Sequence, residues 1–219
     1  MMRAILIPVK DPTRAKMRLA GLLSPQERGR LVWAMFEDVA RAAAQSKRAD
    51  RIFVVTSCEP IMQAARSFGW GVIAEDRQLS ESESVDGASR QLAQLGFDAV
   101  MRVPADLPMA RAEDLDALLE FDLTPPASLL VPSRDGTGTN VLLRSPADLF
   151  PSRFGPNSLL LHLEEAARAG SPCSIVNNYR LALDIDEPAD IAEFLAVGRG
   201  TRAHAALIEM GIFERIKFR

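Results

Sequence analysis

Two cysteines and two histidines are all that 219 residues offer to thiol or soft-metal chemistry. Cys58 and Cys173 lie far apart and form no CxxC spacing, so they read as small buried or half-buried residues of a reducing compartment. With only His162 and His204 beside them, a zinc site or a cysteine protease has too few partners. The familiar nucleotide loops are missing too: the chain holds neither GxxxxGK[ST] nor GxGxxG. It has no GxSxG elbow for a Ser-His-Asp hydrolase. No apolar run is long enough to span a membrane or to act as a signal, because the first, Ala4 to Ile7, stops at Pro8. A general basic field is absent as well. Net charge is −3, and the ten Phe, two Trp and one Tyr are not interleaved with a basic stripe, which argues against nucleic acid as partner. What remains, 47% hydrophobic and 25% charged residues over this length, is the profile of one soluble globular domain. A cytoplasmic enzyme without a membrane or nucleic-acid partner is the expectation.

In chain order, Ala4 to Ile7 reads as a buried first strand. A loop from Val9 to Leu23 follows, carrying Lys10, Arg14, Lys16 and Arg18 against a single acid, Asp11. Ser24-Pro25-Gln26-Glu27 is a helix start, with Ser24 as N-cap, Pro25 in the first position and Glu27 closing a capping box. Leu31, Met35, Val39 and Ala42 give that helix one apolar face. Strands are expected at Arg51 to Thr56 and Gly71 to Ala74, with a helix from Pro60 to Phe68 between them. After a polar stretch, Glu75 to Ser84, come a helix from about Asp86 to Leu95 and a strand reaching Val103. Pro104 and Pro108 then hold Asp106 in a turn just past the strand end. A helix from Ala112 to Phe121 completes a strand–helix alternation that argues for a parallel, doubly wound sheet. The second half reads as strands at Ser128 to Pro132 and Asn140 to Arg144, pairing antiparallel. A helix then opens at Ser158, with Leu159 or Leu160, Leu163 and Ala167 on its apolar face. A last strand at Leu181 to Ile185 and a helix from Pro188 follow. Residues 1–197 make the domain. The tail, 198–219, is an amphipathic segment suited to packing on the domain or on a second copy of the chain in a homodimer.

Three groups of residues converge on chemistry. The first is the Lys10–Arg18 loop at a strand end, which suits nucleotide phosphates and equally fits a solvated basic loop. The second is Asp106 with Asp184 and Asp186. Isolated carboxylates at different strand ends are what a phosphate-bound Mg²⁺ requires, since Mg²⁺ keeps several waters and uses one or two protein carboxylates. Asp184-Ile185-Asp186 alternates along an extended chain, so both acids point the same way. One of them is expected to be a ligand and the other structural; Asp186 or Glu187 can alternatively serve as an N-terminal acid of the helix at Pro188. The third group is Gly136 to Asn140 and Gly155 to Ser158. Glycines let backbone amides approach an anion, Thr139 and Ser158 add hydroxyls, and Ser158 opens a helix. Each of these taken alone is an ordinary turn and cap. His162, one turn into that helix, fits a supporting or core role better than a catalytic one.

Together these stretches resemble a known family. Leu6-Ile7-Pro8-Val9-Lys10, Lys16-Met17-Arg18-Leu19, Leu23-Ser24-Pro25-Gln26-Glu27-Arg28, Val54-Val55-Thr56, Pro104-Ala105-Asp106-Leu107-Pro108, Asp135-Gly136-Thr137-Gly138-Thr139-Asn140, Phe154-Gly155-Pro156-Asn157-Ser158 and Leu183-Asp184-Ile185-Asp186-Glu187-Pro188 are similar, in order, to the 2-phospho-L-lactate guanylyltransferase family, the CofC/FbiD group. The resemblance implies a nucleotidyltransferase fold related to GT-A glycosyltransferases, an α/β/α three-layer domain with a mostly parallel sheet and an antiparallel addition. It implies transfer of GMP from GTP to a small phospho-carboxylic acid (2-phospholactate, phosphoenolpyruvate or 3-phosphoglycerate) with release of pyrophosphate, in coenzyme F420 biosynthesis. By the matched positions, Asp106, Asp184 and Asp186 would hold Mg²⁺. Lys10, Lys16 and Arg18 would act with Asp106 on the triphosphate; Pro8, Val9, Pro104 and Asp86 would line the nucleotide pocket. Thr139, Asn140, Gly155 and Ser158 would meet the acceptor.

One departure stands out. Where the family usually carries Gly-Leu-Asn-x-Ala, this chain reads Leu79-Ser80-Glu81-Ser82-Glu83-Ser84-Val85-Asp86-Gly87-Ala88. If Asp86 is the counterpart of the asparagine, a donor-plus-acceptor amide becomes a pure acceptor, and the extra glutamates add negative charge beside a polyanion. A paralogue with another acceptor or base, and a non-catalytic nucleotide-binding regulatory module, are the alternatives. Sugar-phosphate and molybdopterin nucleotidyltransferases fit less well, because Pro8-Val9-Lys10 supplies no Gly-rich loop.

Overall fold

Apolar runs with no polar face need cover on both sides, and the sheet of this protein has helices on both. The computed structural model describes residues 1–77, 79–121 and 124–217; the side chain of Arg14, one member of the basic loop, lies outside the description. In order the first half runs β1 (Arg3–Pro8), α1 (Pro25–Gln45), β2 (Arg51–Thr56), α2 (Glu59–Ser67), β3 (Gly71–Ala74), α3 (Glu81–Gln94), β4 (Ala99–Arg102) and α4 (Ala112–Leu119). The second half runs β5 (Ala127–Pro132), β6 (Thr139–Ser145), α5 (Ser158–Arg168), β7 (Cys173–Ile175), α6 (Tyr179–Ala182), α7 (Pro188–Val197), α8 (Arg202–Glu209) and α9 (Ile212–Lys217). The strands form one sheet in the order β3-β2-β1-β4-β6-β5-β7. β6 runs antiparallel to both of its neighbours, and the remaining pairs are parallel.

The side-chain alternation of a strand divides the core into layers. From β1, Ile5 and Ile7 pack with Phe36 and Val39 of α1, whereas Ala4 and Leu6 pack with Val85, Ala88 and Leu92 of α3. α1 starts as its sequence dictates: Ser24 accepts from the Glu27 amide and Glu27 accepts from the Ser24 amide. Leu31, Met35, Val39 and Ala42 are all buried.

The direction of β6 decides what meets at the functional edge. β1, β2 and β4 end there, and because β6 is reversed its first residues, Thr139 and Asn140, reach the same edge. The segment after α6 arrives beside them, where the Ile185 amide donates to the Asp106 carbonyl at 3.3 Å.

Three local readings of the sequence need correction, and one strand has no counterpart in them. α3 begins at Glu81 and not near Asp86, because Ser80 and Glu83 form a capping box; the odd Ser-Glu-Ser-Glu-Ser run is a helix start. Leu181 to Ile185 is not a strand: Asn178 caps the short α6, Leu183 leaves it with an extended backbone, and 183–186 lie outside any helix or strand. β7, three half-exposed residues at a sheet edge, carries too little pattern to be read. On α5 the inward residues are Leu159, His162, Leu163, Glu165 and Ala166, with Leu160 and Ala167 outside. Leu159 and Leu163 pack with Leu130, Leu142 and Phe150, while the buried His162 and Glu165 find polar partners in Thr139 and Arg153.

The tail packs on its own domain. Ala203, Ala206, Leu207 and Ile212 share a core with Leu31 and Met35 of α1. Buried Asp38 of α1 accepts from the Arg202 and Ala203 amides, each at 2.9 Å, at the start of α8. Asp38→Ala leaves those donors without their acceptor and is expected to cost about 1–2 kcal/mol in denaturant unfolding. An unchanged midpoint would show that the tail contributes no stability through this contact.

Candidate active site

Two clefts open along the functional edge and share a wall. The first, about 430 Å³, is lined by Pro8, Val9, Lys10 and Lys16 after β1, by Ser57 and Glu75 after β2 and β3, and by Ser84 of α3. The second, about 560 Å³, is lined by Thr137 to Asn140, Phe154 to Pro156, Ser158, Asp184 and Arg18. Glu81, Arg102, Pro104, Asp106 and Asp186 line both.

At the junction Asp106, Asp184 and Asp186 come together, each offering an oxygen within 4.8 Å of the others. Their convergence follows from the backbone. Asp184 and Asp186 flank Ile185, which is fully buried, so both carboxylates face the side opposite to it. Asn140 at the start of β6 fixes the segment, its Nδ2 donating to the carbonyls of Leu181 and Ala182 and to Asp184 Oδ1 at 2.9–3.2 Å. Lys16 closes the cluster, with Nζ 2.6 Å from Asp106 and 2.5 Å from Asp186.

The charges shape one another. Burial penalises the Asp106 carboxylate, but Lys16 and then Arg102 override it and hold its pKa below the ordinary value. Burial, together with the neighbouring charges of Asp106 and Asp186, pushes Asp184 up to about 6. Burial would lower Lys16, yet the two aspartates raise it above the usual lysine range. Arg102, buried in β4 with its guanidinium 4.2 Å from the centre of the Phe154 ring, is lowered by burial to about 10 and stays protonated at neutral pH. Hard carboxylate oxygens grouped at this spacing fit a divalent cation of the magnesium or manganese kind.

The basic loop does not act as one block. Lys10 lies at the first cleft, Arg18 lines the second and pairs with Glu187 at 3.3 Å, and Lys16 sits between them. Thr139 and Ser158 do line the second cleft, and so does Gly155, whose φ of +129° a side-chain-bearing residue would strain to adopt. Gly138 is needed for closeness: a Cβ there would stand 2.6 Å from Ser133 Oγ.

Asp86 departs from expectation. It lines neither cleft. Its carboxylate instead accepts from Arg144 at 3.1 Å and from the amide and hydroxyl of Ser152. The added glutamates are also accounted for, since Glu81 pairs with Arg102 and Glu83 caps α3. The departure in the sequence therefore does not place three uncompensated negative charges at a ligand.

Sequence reasoning missed what Asp86 belongs to. Three consecutive amides before α5, those of Ser152, Arg153 and Phe154, donate to Asp86, His162 Nε2 and Ser82 Oγ at 2.8–3.0 Å. These side chains pin the strap that forms the far wall of the second cleft. Because His162 Nε2 accepts, Nδ1 carries the proton and donates to Thr139 Oγ1 at 3.0 Å. The Thr139 hydroxyl is then left to donate its own hydrogen. Arg102 was missed as well, and an arginine inside the apolar run Val100–Val103 was the signal for it.

Residues 2–218 match the family described as guanylyl transferase CofC like. The protein belongs to this family. Among relatives of this CofC-like chain, the 2-phospho-L-lactate guanylyltransferase of Methanothermobacter thermautotrophicus is 33% identical, covering 92% of this chain and 88% of that one. The phosphoenolpyruvate guanylyltransferase of Rubrobacter xylanophilus is 32% identical, with 88% and 93% covered. The 3-phospho-D-glycerate guanylyltransferase of Colwellia psychrerythraea is 33% identical, with 88% and 90% covered. The fold also matches that of a Desulfovibrio desulfuricans G20 protein provisionally called a nucleotide-diphospho-sugar transferase, at TM-score 0.77 and 18% identity over 99% of both chains. No helix among the described residues is long and apolar enough to cross a membrane.

His162 makes the stability of this CofC-like protein pH-dependent. Burial, then the charges of Arg144 and Arg102, push its pKa down to about 3 from the ordinary 6.5. Between those values the unfolded chain binds a proton that the folded chain refuses, so stability falls as pH drops from 6.5 toward 3. From pH 7 to pH 5 the wild-type protein is expected to lose about 2 kcal/mol more than His162→Gln does. Equal losses in denaturant titrations at the two pH values would contradict a neutral, buried imidazole.

Proposed function

We infer that this protein transfers GMP from GTP to the phosphate of a small phosphorylated carboxylic acid and releases pyrophosphate, with Mg²⁺ held by the aspartate cluster, as a step of coenzyme F420 biosynthesis. The observation that carries the reading is the junction itself: two anion-suited clefts meet at three convergent carboxylates flanked by Lys16 and Arg102. Family membership and the names of the relatives supply the guanylyl group and the acceptor class.

In this reading GTP lies in the first cleft, with its base end between Val9 and the wall of Glu75, Leu79 and Ser84 and its phosphates running past Lys10 toward Lys16. The acceptor lies in the second cleft, its anionic groups facing the Thr139 and Ser158 hydroxyls. Ser158 Oγ already accepts from the Thr139 amide at 2.8 Å, so its hydrogen, like that of Thr139, is available to an anion. An acceptor phosphate oxygen attacks the α-phosphorus of GTP in line. The bond to the β-phosphate breaks, pyrophosphate leaves with the electron pair, and a phosphoanhydride joins GMP to the acceptor. The attacking oxygen is already anionic and needs no general base. A chain poor in histidine can therefore run this chemistry by positioning and charge neutralisation. Asp106, with Asp184 and Asp186, would hold Mg²⁺, which when bound supplies a Lewis acid for the charge on the transferring and leaving phosphates. Lys16 and Arg102 add further positive charge.

Sequence identity does not select the acceptor, since relatives equally similar to this chain carry three different acceptor names. The test is pyrophosphate release from GTP and Mg²⁺ with 2-phospholactate, phosphoenolpyruvate and 3-phosphoglycerate in turn. At least one should support turnover, and silence with all three and all four nucleoside triphosphates would refute the reading. Asp106→Asn should lower turnover about a hundredfold or more while leaving the circular dichroism spectrum unchanged. Retained activity would remove Asp106 from the reacting site.

A further inference from the structure

Lys16 is built into an unusual place. Its backbone has φ +55° and ψ +43°, the left-handed geometry that a side-chain-bearing residue adopts only under constraint. That turn sits between two short helical turns, Pro12–Arg14 and Met17–Leu19, and sends the side chain inward so that only 9% of it is exposed. The ammonium ends 2.6 Å from Asp106 and 2.5 Å from Asp186, inside a carboxylate cluster whose oxygens lie within 4.8 Å of one another. A cluster that small has room for one cation. A divalent ion needs the same oxygens at about 2.0–2.2 Å, so ammonium and metal exclude each other.

We propose that Lys16 is a resident surrogate cation: it fills the metal position in the empty protein, competes there with a free divalent ion, and gives the position up most readily when a nucleotide–metal complex offers its ammonium new oxygens. In the empty cleft the three carboxylates would otherwise face one another with Arg102 as the main counter-charge on Asp106 among the described residues. Lys16 supplies the missing charge and weakens the binding of free divalent ions. When a triphosphate enters, Lys16 turns from the carboxylates to the phosphate oxygens as the carboxylates take up the metal. The lysine is thereby a gating and positioning residue that favours joint entry of nucleotide and metal.

The inference rests on the nucleotidyl-transfer reading only in taking a divalent cation as the visitor, and its test needs no turnover. Mn²⁺ is titrated into nucleotide-free protein and followed by electron paramagnetic resonance. Lys16→Met, which keeps the apolar stem and removes the charge, should bind Mn²⁺ about tenfold tighter or more, because the closed fraction no longer taxes the affinity. Its melting temperature should fall without metal and recover with Mn²⁺. Lys10→Met, which removes a nearby charge without vacating the cluster, should change the affinity much less. Equal Mn²⁺ affinities for wild type and Lys16→Met, or an equal gain in Lys10→Met, would overturn the proposal. Should Lys16→Met fail to fold, lysine acetylation of the unaltered protein decides. Saturating Mn²⁺ should speed modification at Lys16 relative to Lys47, and an unchanged ratio would overturn the proposal. A protein that releases no pyrophosphate yet shows these Mn²⁺ differences would refute the transfer reading alone.

Discussion

Three carboxylates within 4.8 Å of one another cannot all stay ionised at a half-buried junction unless positive charge stands beside them. That electrostatic demand organises the functional edge of this protein. Lys16 answers it from a left-handed turn in the loop after β1, and Arg102 answers it from inside β4. Arg102 in turn carries Glu81, which joins the start of α3 to the site. Asn140 holds the chain that delivers Asp184, and it can do so because β6 runs against its neighbours and begins where they end. Burial, and after it the like charges of Asp106 and Asp186, raise Asp184 to about 6.

Much of the fold was legible because it follows short-range rules. Ser24-Pro25-Gln26-Glu27 starts a helix wherever it stands, and the boundaries of β2 and β3 follow directly from Arg51–Thr56 and Gly71–Ala74. The alternation of strand and helix over the first half gave the parallel sheet. The errors arose where long-range contacts decide. On α5 Leu159 and Leu163 face the core as their spacing says, but Ala167 does not, and the buried His162 and Glu165 owe their place to Thr139 and Arg153, which hydrophobic periodicity does not see. The stretch after Asn178 has strand-like composition, but the Asn178 cap turns it into a short helix first.

The candidate site shows the same division. Asp106 stood out between two prolines, and the i, i+2 spacing of Asp184 and Asp186 told which way they face. Their meeting with Asp106 depends on the Ile185–Asp106 backbone contact, which no local pattern encodes. Asp86 illustrates the converse. By position it looked like a pocket residue, whereas its partners, Arg144 and Ser152, are 58 and 66 residues away and make it a brace for the far wall of the second cleft. Paired ions of this sort read from sequence as surplus charge, and only the fold shows what neutralises them.

The most direct test of the account is where a divalent ion sits when nucleotide is bound. Crystals grown with Mn²⁺ and a non-hydrolysable GTP analogue should give an anomalous peak about 2.2 Å from a carboxylate oxygen of Asp106. The peak should also touch Asp184 or Asp186, and the Lys16 ammonium should have moved onto the phosphates. Manganese bound by the phosphates alone, with Lys16 still bridging Asp106 and Asp186, would contradict the account.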